Sequence, residues 1–199
     1  MAVCEWDVDF VSMSFGFPSH VQSIQNAISR ANIHKKSVTF FAAANNDGFN
    51  SREMFPANIG GSVLSIRGTN VHGSFEQKFN PPKSSSEAVF GTLGLNVFSD
   101  WTRQADARSM SGSSVATAVA VGIASILVEY AIRSGDFDSE ELQLMRTRRG
   151  VFELFMEIGV CGHGGDDHYY VAPFEFFRES DKYRLARIRK AISKHPELQ

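Results

Sequence analysis

A chain of 199 residues, 43% hydrophobic and 21% charged, holds enough apolar side chain for one sizeable core, which excludes a disordered polymer as the starting expectation. Its formal net charge of -2 and pI near 6.3 offer no basic field of the kind that nucleic-acid or anionic-membrane partners draw on, so neither partner is expected. The two cysteines, Cys4 and Cys161, stand far apart without metal-ligand spacing, so both read as reduced thiols and no metal or other cofactor is expected.

Met1 to Glu5 is not the charged and then apolar opening of a secretory signal, and the chain as given reads as intracellular, hence cytoplasmic. Val8 to Phe15 is apolar with few charges and then meets Gly16 and Pro18, a pattern that predicts a central strand buried on both faces and ended by a turn. Val21, Ile24, Ala27, Ile28 and Ala31 follow at helical spacing, and His34-Lys35-Lys36 supply cations to the negative end of that helix. Ser37 to Ala44 is a second apolar run, stopped by the turn-forming cluster Asn45-Asn46-Asp47-Gly48. Strand, helix, strand in so short a stretch predicts a parallel βαβ unit.

Ser62 to Arg67 is a third candidate strand and Leu95 to Phe98 a shorter fourth, with Asn80 to Glu87 a loop rich in Pro and Ser. After Gly112 a long helix is predicted to about Ile132. Its apolar run Val115 to Leu127 is interrupted by Thr117 and Ser125 and falls short of the ~20 residues of a membrane span, so it reads as a buried helix. Helical patterns recur over Ser139 to Arg148 and Val151 to Ile158, and Phe174 to Lys194 suits one amphipathic terminal helix. The whole predicts an α/β fold, a mostly parallel sheet flanked by helices, over residues 1–138, with a helical extension over residues 139–199.

Two local patterns carry chemistry. Ser111-Gly112-Ser113-Ser114 packs small residues into a turn where the long helix begins, and a helix N-terminus favours negative charge developing on an oxygen. Alone, such a run is as well read as an N-cap. Ala43-Ala44-Asn45-Asn46-Asp47-Gly48 ends a parallel strand, the edge where α/β folds gather ligand groups, and a side-chain amide there suits an oxyanion. Alone, it is as well read as an Asn-rich turn. Cys161-Gly162-His163-Gly164-Gly165-Asp166-Asp167-His168 contains ligand types but reads as a solvated loop.

In order, and with Ser14-Phe15-Gly16 upstream, these segments resemble the subtilisin-like (S8) serine peptidases. Ser14-Phe15-Gly16 is similar to the family's Ser-Leu-Gly channel strand, Ala43 to Gly48 to its Ala-Ala-Gly-Asn-x-Gly, and Phe55-Pro56-Ala57 with Val63 to Gly68 to its Pro-Ala turn and following strand. Ser111 to Ala118 is similar to Ser-Gly-Thr-Ser-Met-Ala-Thr-Pro. The resemblance covers about Trp6 to Tyr130 and implies a three-layer α/β sandwich and serine endopeptidase activity. It makes Ser114 the nucleophile, Asn46 and the Ser114 N–H the oxyanion donors, and Ser14, Phe15 and Gly16 the substrate-binding strand. Ser113, Val115 and Ala118 depart from the family's Thr, Met and Pro, and Asn45 stands for a Gly, where Asn's tolerance of the left-handed region is expected to serve.

The family's Asp-x-Gly and His-Gly-Thr-His precede the channel strand, and nothing upstream of Val8 matches them. None of the six histidines, His20, His34, His72, His163, His168 and His195, fits that motif. Three readings follow: the C-terminal half of a peptidase domain whose N-terminal half supplies Asp and His, an inactive pseudoprotease that binds peptides, or an unrelated α/β ligand-binding domain. A peptide or protein substrate is the expected partner of the first two.

Overall fold

The computed structural model describes residues 2–35, 37–83, 86–99, 108–162, 165 and 167–194. In chain order it runs α1 (Ala2–Trp6), β1 (Phe10–Met13), α2 (Gln22–His34), β2 (Thr39–Ala43), β3 (Val63–Thr69), β4 (Val89–Leu93), β5 (Val97–Ser99) and β6 (Arg108–Met110). There follow α3 (Ser113–Ser134), α4 (Ser139–Arg146), α5 (Arg148–Ile158), β7 (Val160–Cys161), β8 (His168–Tyr170), α6 (Pro173–Arg178) and α7 (Asp181–Ile192).

The main sheet has the order β1-β2-β3-β4-β8-β7, parallel from β1 to β8 and antiparallel at β7, while β5 and β6 form a separate hairpin. The period-2 alternation of strands sends neighbouring side chains of β2 to opposite faces. Phe41 joins Leu64, Ile66 and Phe90 under Ala116, Ala120 and Leu127 of α3, Leu154 of α5 and Ile188 of α7. Phe40 and Ala42 instead join Ile28 and Ala31 of α2 on the other face. Helices thus cover both faces of a mostly parallel sheet, the three-layer α/β sandwich expected from the sequence.

Local chemistry sets the helix ends. Asp138 Oδ1 accepts from Glu141 N at 2.9 Å while Glu141 Oε2 accepts from Asp138 N at 3.0 Å, a reciprocal cap on α4. Thr147 Oγ1 accepts from Gly150 N at 2.9 Å and starts α5. Left-handed Gly135, with φ 70°, ends α3. At 22 residues α3 is longer than the run read from the sequence, and by length and composition it could cross a membrane. Here it lies across β1 to β4, with Ala116, Ala120, Ala124 and Leu127 buried against them.

Several expectations are corrected. The strand begun by Phe10 is at the sheet's edge, paired only with β2 among the described residues, because an apolar run records burial but not the number of neighbours. The fourth strand of the sheet is Val89–Leu93; the Leu95–Phe98 candidate yields only the outer hairpin strand Val97–Ser99. The tail is not one helix, since chain turning at Glu179 and Ser180 divides α6 from α7. It is also not purely helical. The hairpin β7–β8 joins the sheet, with Phe90 opposite Tyr169 in parallel register.

Two ionic clusters brace these elements. Lys35 Nζ holds Asp7 and Asp9 at 2.9 Å each, and Arg146 Nε holds the second oxygen of Asp9 at 2.9 Å, tying the start of β1 to α2 and α4. Deeper in, Arg67 Nη1 lies 3.0 Å from Glu53 Oε1, with side chains only 3% and 8% exposed. Its remaining N–H groups donate to the carbonyls of Pro81 and Pro82 at 3.3–3.4 Å, and Ser65 Oγ donates to Glu53 at 2.7 Å. Burial lowers the Arg67 pKa, opposed by the Glu53 charge.

The ring of His168 on β8 stands edge-on to Phe75 at 5.0 Å, and its buried Nδ1 has no hydrogen-bond partner among the described residues. Desolvation, then the charges of Arg67 and Lys83, hold its pKa below the usual value, with Asp167 opposing. The unfolded chain therefore binds this proton more readily, so the contribution to stability is present above ~6.5 and is lost as pH falls through and below that value. The urea midpoint is expected to drop between about pH 7 and about pH 5. His168→Gln should flatten that dependence, and an unchanged slope in the variant would assign it to other groups.

Candidate active site

Gly112 sits at φ 154° and ψ 159°, a conformation open in practice only to glycine, and its N–H donates to Gly94 O at 2.7 Å. Beneath it, a Cβ on Gly94 would come within 2.8 Å of Ala116 Cβ and 2.9 Å of both Gly112 O and Gly68 Cα. Bare backbone at the ends of β3 and β4 thus lets the Ser111–Ser114 turn settle onto the sheet. Thr92 Oγ1 donates to Ala116 O at 2.7 Å and fixes the first turn of α3 from the same side. Ser113 is buried and Ser114 half-buried, and as the second residue of α3 Ser114 has an N–H without an intrahelical acceptor.

Asn46 follows β2. Asn45 Oδ1 accepts from the N–H of Asn46 at 2.6 Å and of Asp47 at 3.3 Å, while its Nδ2 donates to Arg52 O at 3.0 Å. This Asx turn replaces the left-handed conformation expected at Asn45; among the described non-glycine residues positive φ occurs at Asp7 and Asn96. Asn46 Oδ1 in turn accepts from Ser113 N at 2.6 Å. The oxygen of the carboxamide is thereby committed, and its NH₂ has no acceptor among the described residues.

Ser14 lies just past β1 and binds Ser114 twice: Ser114 Oγ donates to Ser14 O at 3.3 Å, and Ser14 Oγ donates to Ser114 O at 3.0 Å. This tie fixes the first turn of α3 to β1 near Ala118, where the family's Pro is absent. Phe15 and Gly16 make no backbone–backbone hydrogen bond among the described residues, whereas Phe17 pairs with Phe55 through bonds of 2.8 and 3.0 Å. Phe15 and Phe17 are both exposed, their rings edge to face at 5.8 Å. Ser14, Asn46 and Ser114, far apart in sequence, thus meet through Ser113, and Phe15 and Gly16 flank them. Gly94, which supports the turn beside Gly68, was not singled out from the sequence; the available signal was a glycine at the end of the strand.

The described histidines are engaged elsewhere. His20 stands edge-on to Phe55 at 4.8 Å, His34 closes α2, His72 lies on an exposed turn, and His168 faces Phe75. His163 and His195 lie outside the described residues, as do Gly164 and Asp166 of the glycine-rich loop, whose Asp167 pairs with Lys83 at 2.6 Å. Among the described residues no histidine hydrogen-bonds to Ser114, and no cluster of His, Cys, Asp or Glu could hold a metal. A cavity of about 320 Å³ between Arg52, Arg67, Arg148 and Phe152 is remote from this chemistry, at the opposite, starting ends of β3 and β4. Two of its guanidinium groups are already paired, Arg67 with Glu53 and Arg148 with Glu87.

Searches against protein-family models and against curated proteins match nothing. Solved structures do match. The prenylagaramide maturation protease PagA aligns with a TM-score of 0.65 at 18% identity, over 96% of this chain and 63% of PagA. A serine-to-alanine mutant of the PatA protease domain aligns at 0.67 and 18%, over 96% of this chain and 62% of that one. The PatG macrocyclase in complex with peptide aligns at 0.62 and 15%, over 96% and 53%. The fold is therefore the subtilisin-like α/β sandwich. The chain spans less than two thirds of the length of each of these structures.

Proposed function

We propose that the chain is the nucleophile-bearing portion of a subtilisin-like serine peptidase. Ser114 Oγ attacks a peptide carbonyl, and the resulting oxyanion is held by the Asn46 NH₂ and the Ser114 N–H. The amine leaves with a proton and the acyl group remains on Ser114 until water removes it. An extended substrate lies along Phe15 and Gly16, whose backbone groups make no backbone hydrogen bond among the described residues. The observation that supports this reading is the approach of Asn46 to the start of α3 through the 2.6 Å bond from Ser113 N to Asn46 Oδ1, which occupies the carboxamide oxygen and not its NH₂. Likeness to the PatG macrocyclase supports a variant in which an amine replaces water as the acceptor.

A second reading is favoured by one fact. Ser114 Oγ–H is bonded to a main-chain carbonyl instead of a base, as in a peptide-binding module that does not cleave. An oxyanion hole and binding alone still leave ~10³–10⁴-fold acceleration over water. Incubation with an activated p-nitrophenyl ester should therefore place one acyl group slowly on Ser114, located by peptide mapping and lost in Ser114→Ala. Acylation that persists in Ser114→Ala, or none at all above surface lysines, would favour the binding module.

A further inference from the structure

The cavity of about 320 Å³ at the starting ends of β3 and β4, away from Ser114, has two kinds of lining. Part is apolar, made by Ala57, Val63, Leu64, Ala88, Val89 and Phe152, whose ring stands edge to face with Phe90 at 5.2 Å. The rest is mainly cationic, from Arg52, Arg67, Lys83 and Arg148, with the carboxylates of Glu53 and Glu87 among them. A space of this size equals roughly ten water volumes and falls at the small end of ligand pockets. Water gains little against the apolar part, so an organic body fills it better.

The charges narrow the choice of ligand. Arg67 is matched by Glu53 at 3.0 Å, Lys83 by Asp167 at 2.6 Å and Arg148 by Glu87. Arg52 is exposed and its side chain has no partner among the described residues, which leaves one positive charge over. Arg67 is also saturated, since its other N–H groups serve the Pro81 and Pro82 carbonyls. Arg148 is not. Of the five N–H groups of a guanidinium it spends one on Glu87, and its Nε is buried with no acceptor among the described residues. The same guanidinium lies 5.6 Å from the centroid of Phe152, which holds it beside the apolar lining. The helix it begins adds to the positive field, because the first turn of α5 contains no acidic residue.

From these observations we infer that the cavity is a binding site for a small organic monocarboxylate with an apolar body, of about the size of an arylacetate. The body lies against Phe152 and Val89, and the carboxylate takes the spare charge of Arg52 and the unspent N–H groups of Arg148, whose planar fork suits it. Inorganic phosphate has no apolar part and carries more charge than the one left over. The inference is independent of the reading of Ser114.

The test is titration of residues 1–199 with phenylacetate, followed by amide chemical shifts and set beside phenylacetamide and inorganic phosphate. Saturable shifts are expected at Ala57, Val89 and Phe152, in the millimolar range or tighter. Phenylacetamide should bind at least ~10-fold more weakly, for want of charge-assisted hydrogen bonds, and Arg148→Gln should weaken phenylacetate by a similar factor. Arg52→Gln, a change on an exposed side chain, should weaken it about 2–5-fold without moving the unfolding midpoint. If Arg148→Gln does not fold, Arg52→Gln and the comparison of acid with amide decide the matter. Shifts that do not saturate or that centre elsewhere, an amide or a phosphate that binds these residues as tightly as phenylacetate, or an Arg52→Gln variant that binds like the parent would each overturn the inference.

Discussion

Replacing Asn46 with alanine is expected to slow acylation of Ser114 by an activated ester about 10²–10³-fold, the usual effect of losing one oxyanion donor. Alanine alone leaves an ambiguity. Asn46 also accepts the Ser113 N–H at 2.6 Å, so its removal could loosen the turn itself. Asn46→Asp separates the two roles, because a carboxylate keeps the acceptor for Ser113 but offers no donor and repels an oxyanion. The aspartate variant should unfold at the same denaturant midpoint as the parent and acylate as slowly as the alanine variant, or more slowly. An aspartate variant that acylates at the parent rate would remove Asn46 from the chemistry and leave it a structural brace.

Arg67→Ala is expected to cost about 3–5 kcal/mol, because it takes the guanidinium away from a buried carboxylate. Glu53, only 8% exposed, would keep the Ser65 hydroxyl and lose the guanidinium, while the carbonyls of Pro81 and Pro82 would lose their donors. For a domain of this size the melting temperature should fall by roughly 6–20 °C. The pair need not be a net stabiliser. Desolvation offsets much of its attraction, as the lowered Arg67 pKa indicates, so Arg67→Met combined with Glu53→Gln should recover most of the loss. A double variant as unstable as Arg67→Ala would show that the proline carbonyls, not the carboxylate, are what Arg67 serves.

The sequence was most legible where one element satisfied its own signals. Helix α3 lies within a residue or two of its expected span because Gly112 and Gly135 bracket a long, largely apolar run. The second and third strands were legible as short apolar runs with turn residues behind them. Strand β4 was missed because Gly91 interrupts it; that glycine admits the Phe75 ring, which a Cβ would meet at 2.5 Å. β7 and β8, of two and three residues, carry too little pattern of their own; β8 exists by pairing with β4, and β7 by pairing with β8. In the site, Asn46 and Ser114 were legible as local turns. The Ser14–Ser114 bonds, which bridge a hundred residues, were not, because contact between remote segments has no local signature.

The far edge of the sheet ends differently from the near one. β7 is only Val160 and Cys161, antiparallel to its neighbour, and is followed at once by Gly162. So short an edge cannot template another strand of useful length, whereas β1 can. The sheet is thus polar in its capacity to grow, with one competent end and one stopped end. Self-association through strand pairing needs two competent ends to propagate, so copies of this chain that stick at β1 terminate as pairs and do not extend into fibres.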